Sequence, residues 1–240
     1  MNHNSLDLFS IFNQLPHNPE VDDSFHIFDF GNIMNVQYWS EIFDMVKSIE
    51  FKSIVEFGVG RGRSLLSIAS IEHYRAMKSN RSSSNIYAFD SFQGFPQPGL
   101  EDISFRNPKK GEWSTSPSGK YSYSEAFLKT ILENASLPTV SNIEFVEGFF
   151  NETAKANCER IDDIGILHLD GDLYESTKIP LYYFSDRVVS GGVIVIDDYI
   201  IDDPNDAWPG CRRAVEEFIS GNKKFNLSRT SKGSPLLIKV

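Results

Sequence analysis

Apolar residues recur along the 240-residue chain in two alternating patterns. Runs with almost no polar interruption stand at residues 54–57, 86–89, 143–146, 164–169 and 192–196. Between them, apolar positions three or four apart predict helices at about 63–77, 123–136, 152–160, 173–187 and 211–220. Strands apolar on both faces, each followed by a helix, predict a parallel, doubly wound α/β sheet. Two closing strands, 225–229 and 235–240, flank Ser231-Lys232-Gly233-Ser234. That turn predicts a hairpin, adding an antiparallel edge to a sheet of seven strands.

Ahead of the first strand, Leu8, Ile11, Phe12 and Leu15 repeat at helical spacing until Pro16 and Pro19 break the pattern. Trp39, Ile42, Phe43 and Val46 form the stripe of a second helix over about 36–49. Residues 1–50 are therefore expected to form a helical extension, which either packs on the sheet of the first strand or serves as a lid or the contact of a homodimer, ahead of one domain over 51–240. Residues 93–122 lack any period, with Pro96, Pro98, Gly99, Pro108, Gly111, Pro117 and Gly119 among them. A connection this long inside a compact domain is expected to carry function. Placed after the second strand, it would fold over a ligand.

Composition narrows the class. Hydrophobic residues make up 40% and aromatic residues 13% of the chain, enough for a packed core. The net charge of −10 argues against nucleic-acid or anionic-membrane partners, which require basic patches. Cys158 and Cys211 are the only cysteines, too few for a disulfide framework or a cysteine zinc site. No apolar run approaches the roughly 20 residues that span a bilayer. Met1-Asn2-His3-Asn4 does not open a secretory leader. A cytoplasmic protein is expected, with the N-x-S/T matches at Asn80, Asn134, Asn151 and Asn226 read as chance.

The chemistry concentrates at strand ends. After the first strand, Glu56-Phe57-Gly58-Val59-Gly60-Arg61-Gly62 leads into a helix start. Such a turn brings backbone N–H groups against a ligand, although it also serves as a plain connection in any α/β protein. Its register is not the G-x-G-x-x-G of dinucleotide sites. Glu56 is placed to accept from an amine-bearing group. Asp90 closes the second strand, where a carboxylate grips ribose hydroxyls or caps a turn. Asp170 ends the fourth strand, and Asp197-Asp198 ends the fifth. Three carboxylates on neighbouring strands suit a hard divalent cation, Mg²⁺ before Ca²⁺. The alternative for Asp197-Asp198 is a turn pair. Asp172, three residues before Glu175, reads as the cap of the next helix. His168 reads as a hydrogen-bonded core histidine, and Cys211 as a packing residue.

These segments also carry a resemblance. Val55-Glu56-Phe57-Gly58-Val59-Gly60-Arg61-Gly62, Phe89-Asp90-Ser91-Phe92-Gln93-Gly94, His168-Leu169-Asp170-Gly171-Asp172-Leu173-Tyr174-Glu175 and Asp197-Asp198-Tyr199 resemble blocks of the macrocin-type sugar O-methyltransferase family. The likeness runs from about residue 50 to 220. It implies a class I methyltransferase, Rossmann-like fold, S-adenosylmethionine and Mg²⁺ as cofactors, and a sugar or glycosylated metabolite as acceptor. It implies cofactor contacts at Glu56, Phe57, Gly58, Gly60, Asp90, Ser91, Phe92, Gly148 and Phe149. It also implies metal ligation by Asp170, Asp197 and Asp198, with Asp170 as general base. Leu173 stands where catechol-type enzymes carry a lysine, which excludes a lysine base at that position. Two rivals stand beside this reading, a nicotinamide-dependent oxidoreductase and a catalytically silent cofactor-binding scaffold.

Overall fold

The computed structural model describes residues 30–137 and 140–240. The helix expected over Leu8–Leu15 lies outside them. Helix α1 (Phe30–Met45) precedes β1 (Ser53–Phe57), and α2 (Arg63–Lys78) leads to β2 (Asn85–Asp90). Then follow α3 (Glu125–Asn134), β3 (Ile143–Glu147), α4 (Phe150–Asn157), β4 (Ile164–Leu169) and α5 (Tyr174–Phe184). The chain closes with β5 (Val188–Ile196), α6 (Pro209–Gly221), β6 (Phe225–Arg229) and β7 (Pro235–Lys239). Seven strands form one sheet in the order β3-β2-β1-β4-β5-β7-β6. β1 to β5 pair in parallel, and β7 runs antiparallel to both of its neighbours. The sheet is the doubly wound α/β arrangement that the apolar runs predict.

The terminal hairpin enters the sheet in an order that the sequence pattern did not foresee. The chain's last strand is not the edge, because β7 inserts between β5 and β6. Burial gives the reason. Leu236 and Leu237 of β7 are fully enclosed, whereas four of the five residues of β6 face solvent. The apolar strand takes the central position, and the polar one blunts the edge.

Pleating sorts the core into two layers. Ile54, Ile86, Ile166 and Val193 pack with α1, α2 and α3 on one face. Val55, Phe57, Leu167 and Ile194 pack with α5, α6 and Ala154 of α4 on the other. Helix α1 starts and ends earlier than its stripe suggests. Trp39, Ile42, Phe43 and Val46 are nonetheless all enclosed, so the stripe faces the sheet. Among the described residues, no helix is long and apolar enough to cross a membrane.

The long connection after β2 is pinned to the body. Phe95 N–H donates to Glu112 O at 2.9 Å, and Gly111 N–H to Phe95 O at 3.0 Å. Asp102 is buried, and its carboxylate accepts from Gly99 N–H (2.8 Å) and from Tyr174 N–H at the start of α5 (2.7 Å). Ser104 Oγ donates to Ala207 O at 2.8 Å. Between these anchors Leu100, Ile103 and Phe105 project outward.

Asp102→Ala would leave the Tyr174 N–H without its acceptor, a loss on the order of 1–3 kcal/mol. Hydrogen exchange should then accelerate over residues 99–105 while strand protection persists. Unchanged exchange there would show that Asp102 is not the anchor.

Candidate active site

The ends of β1, β2, β4 and β5 meet through backbone hydrogen bonds that continue past the strands. Gly58 N–H donates to Phe89 O at 2.9 Å, Asp170 N–H to Phe57 O at 2.9 Å, and Asp197 N–H to Leu169 O at 3.0 Å. Gly58 has a φ of +91°, and a Cβ there would lie 1.8 Å from Asp170 O. Only glycine lets the turn after β1 pass this close to the end of β4. The turn then enters α2 through Gly62.

Asp90 braces that turn. Its Oδ2 accepts from Val59 N–H and Gly60 N–H, both at 2.8 Å, and its Oδ1 accepts from Phe92 N–H at 2.7 Å. A carboxylate offers about four lone-pair sites, so little acceptor capacity remains for an external hydroxyl. Burial raises the Asp90 pKa, and the surrounding N–H groups work against the rise.

A cavity of about 860 Å³ opens above these strand ends. Of the predicted site residues, Gly58, Gly60, Asp90, Ser91, Phe149, Asp170 and Asp197 line it. Glu56, Phe57, Phe92, Gly148 and Asp198 do not. Phe57 stacks on Phe89 at 4.3 Å within the core. Phe92 packs against the layer formed by α1–α3. Gly148 donates from its N–H to Asp90 O at 2.9 Å and sets the turn that presents Phe149. Trp113 and Tyr123 add aromatic wall from the long connection and its end.

Glu56 is placed differently from the expectation of an amine contact. It pairs in register with His168, and the pleat turns both toward α1, so that neither lines the cavity. Both are fully buried, with His168 Nδ1 3.1 Å from Glu56 Oε1 and the Trp39 ring edge-on to the imidazole at 4.7 Å. Burial opposes charge on His168, but the Glu56 carboxylate outweighs it and leaves the imidazole pKa raised. His168 is the hydrogen-bonded core histidine that the sequence suggested, although its Nε2 has no partner among the described residues.

The acidic group also differs in membership. Carboxylate oxygens of Asp170, Asp172 and Asp198 lie within 4.8 Å of one another. Asp172 N–H donates to Asp198 Oδ2 at 2.8 Å. Asp172 is not the helix cap, since Leu173 occupies that place and no side chain caps α5. Its left-handed backbone, φ +61°, carries the carboxylate into the acidic group instead. The Asp-Gly-Asp spacing was the one available signal for it. Asp197 lines the cavity but pairs with Lys232 Nζ at 3.0 Å. Burial, then mutual repulsion, pushes Asp170, Asp172 and Asp198 well above the ordinary carboxylate range. Cys211 is enclosed in the core, where burial pushes its thiol up and away from reactivity.

The chain is similar to known proteins. Residues 41–226 match the sequence model of the family described as macrocin-O-methyltransferase (TylF). The chain belongs to that family. Among the relatives of this macrocin O-methyltransferase family member is the demethyldecarbamoylnovobiocin O-methyltransferase of Streptomyces niveus. It is 30% identical over 175 residues, 73% of this chain and 60% of the relative. The 8-demethyl-8-(2,3-dimethoxy-alpha-L-rhamnosyl)-tetracenomycin-C 4'-O-methyltransferase of Streptomyces olivaceus is 28% identical over 166 residues, 69% of this chain and 57% of the relative. The chain thus spans less than two thirds of the length of either relative. The crystal structure of CalS11, a calicheamicin methyltransferase, superposes with a TM-score of 0.67 at 21% identity, covering 88% of this chain and 80% of that one. It shares the class I methyltransferase fold.

The raised carboxylates yield a sign for stability. An acid whose folded pKa exceeds its unfolded value of about 4 binds protons preferentially in the folded state. Its contribution therefore falls as pH rises, and a bound cation should reverse the loss. The melting temperature in Mg²⁺ minus that in EDTA should widen from about pH 5 to about pH 8. A difference that stays flat across that range would deny the acidic group a cation.

Proposed function

We propose that this protein transfers the methyl group of S-adenosylmethionine to a hydroxyl oxygen of a sugar or glycosylated small molecule, with Mg²⁺ at the acidic strand ends. The observation that carries the reading is one cavity holding the glycine turn, Asp90 and the acids of β4 and β5 together. Family membership and the rhamnosyl-bearing relative support the reaction and the acceptor class.

The residues fit both cofactors. The glycine turn, with Gly58 and Gly60 on the wall, would cradle the amino-acid end of the donor, and Ser91 and Phe149 would flank its nucleoside. Negative charge around the cavity would attract the sulfonium. The oxygen-only donor set of Asp170, Asp172 and Asp198 fits a hard divalent ion, and the burial that raises their pKa values is what such an ion would relieve. When bound, the ion supplies Lewis acidity that lowers the pKa of an acceptor hydroxyl.

The chain itself does the positioning. Asp170, tied by its N–H to Phe57 O, faces the turn and would receive the acceptor's proton. Phe95, Trp113 and Tyr123 would keep water from the acceptor and hold it in line with the methyl group. Asp90 acts through the turn it braces, so its loss would loosen the donor's cradle as well as any ribose contact.

Asp90→Ala should weaken S-adenosylmethionine binding by about 1–3 kcal/mol in calorimetry, the scale of leaving the Val59 and Gly60 N–H groups of the turn without their charged acceptor. Full affinity would remove Asp90 from the donor site. EDTA should stop methylation of a sugar diol acceptor, and Asp170→Asn should lower kcat by about 10²-fold or more while the fold persists. Full turnover in EDTA, or on an acceptor lacking the neighbouring hydroxyl, would sink the metal-assisted reading.

A further inference from the structure

Asp197 stands outside the trio whose oxygens lie within 4.8 Å of one another, yet it is the strongest charged neighbour of Asp170, and its own partner comes from the far end of the chain. Lys232 stands in the turn between β6 and β7. Gly233 N–H and Thr230 N–H close that turn onto Thr230 O and Ser234 O, each at 2.9 Å. Thr230 Oγ1 and Ser234 Oγ, 2.8 Å apart, are buried inside it. Ile201 N–H donates to Gly233 O at 3.0 Å, fastening the turn to the segment that follows Asp197 and Asp198. The backbone of Lys232 is thereby fixed relative to the end of β5.

From that post the side chain reaches the acidic cavity, which Lys232 lines together with Asp170, Asp172 and Asp197. Its Nζ donates to Asp197 Oδ1 at 3.0 Å and lies 4.0 Å from the centroid of the Tyr38 ring on α1. The aromatic face and the carboxylate hold one ammonium from two sides. Side-chain exposure of 37% for Lys232 and 29% for Asp197 leaves the pair partly screened, so its value is in placement more than in stability. Lys232 lies beyond residues 41–226, the span that the family model matches.

We propose that Lys232 is a tethered counter-cation of the acidic site, which holds Asp197 in an ion pair and thereby sets the affinity of the site for a divalent ion. The inference rests on the metal-assisted reading. A fixed ammonium and a free dication act on the same carboxylates, so each weakens the other's hold, and the coupling is reciprocal. Lys232 is in this sense a positioning residue acting through Asp197.

Mn²⁺ binding, followed by electron paramagnetic resonance on the full chain, tests the idea. Lys232→Met should bind Mn²⁺ about tenfold more tightly than the natural protein, within the usual range of coupling between sites. Lys232→Arg, which keeps the charge, should stay near the natural affinity. Adding Asp197→Asn to Lys232→Met should remove most of the gain. Lys232→Gln serves the same comparison should the methionine variant fail to fold, as judged by circular dichroism. Equal or weaker Mn²⁺ binding by the neutral variants, beside measurable binding by the natural protein, overturns the proposal and leaves the metal site standing. No Mn²⁺ binding by the natural protein overturns both.

Discussion

Mutual repulsion among carboxylates is the constraint around which this structure is arranged. Asp170, Asp172, Asp197 and Asp198 end two adjacent strands, and burial, then mutual repulsion, raises the pKa values of Asp170, Asp172 and Asp198 well above the ordinary range. Neighbouring elements answer that field locally. Lys232 neutralises Asp197, the Asp172 N–H donates to Asp198, and a histidine with a raised pKa sits below Asp170. A divalent ion would complete the same compensation from the solvent side.

The buried Glu56–His168 pair places a polar contact in the sheet where neighbouring strand positions are apolar. Removing one member would strand the other in the core, where an unpaired charge is costly. The pair also fixes α1 against the sheet, because Trp39 meets the imidazole edge-on. Helix packing on one face and acid geometry on the other are thus joined through a single cross-strand register, Glu56 opposite His168.

The sequence was legible where side-chain preference and position coincide. β4 spans the predicted 164–169, because an apolar run bounded by polar residues has only one way to pair. The gathering of acids at one sheet edge was legible for the same reason. Orientation was not. Glu56 lies in a strand, and a period of two sends it to the helix face rather than toward the cavity. Asp172 looked like a cap until a left-handed backbone turned it inward. Lys232 reaches the site only through the pairing of β7 beside β5, a long-range contact that no local pattern encodes.

The close passage of Gly58 over the Asp170 carbonyl has a consequence for changing this protein's selectivity. It locks the glycine turn and the acidic strand ends into one rigid gauge, whose spacing cannot be retuned without shifting β4 itself. Substitution libraries should therefore find few permitted changes at the strand ends. Permissive positions should cluster at Leu100, Ile103 and Phe105, which project from a connection already anchored at its base by Asp102.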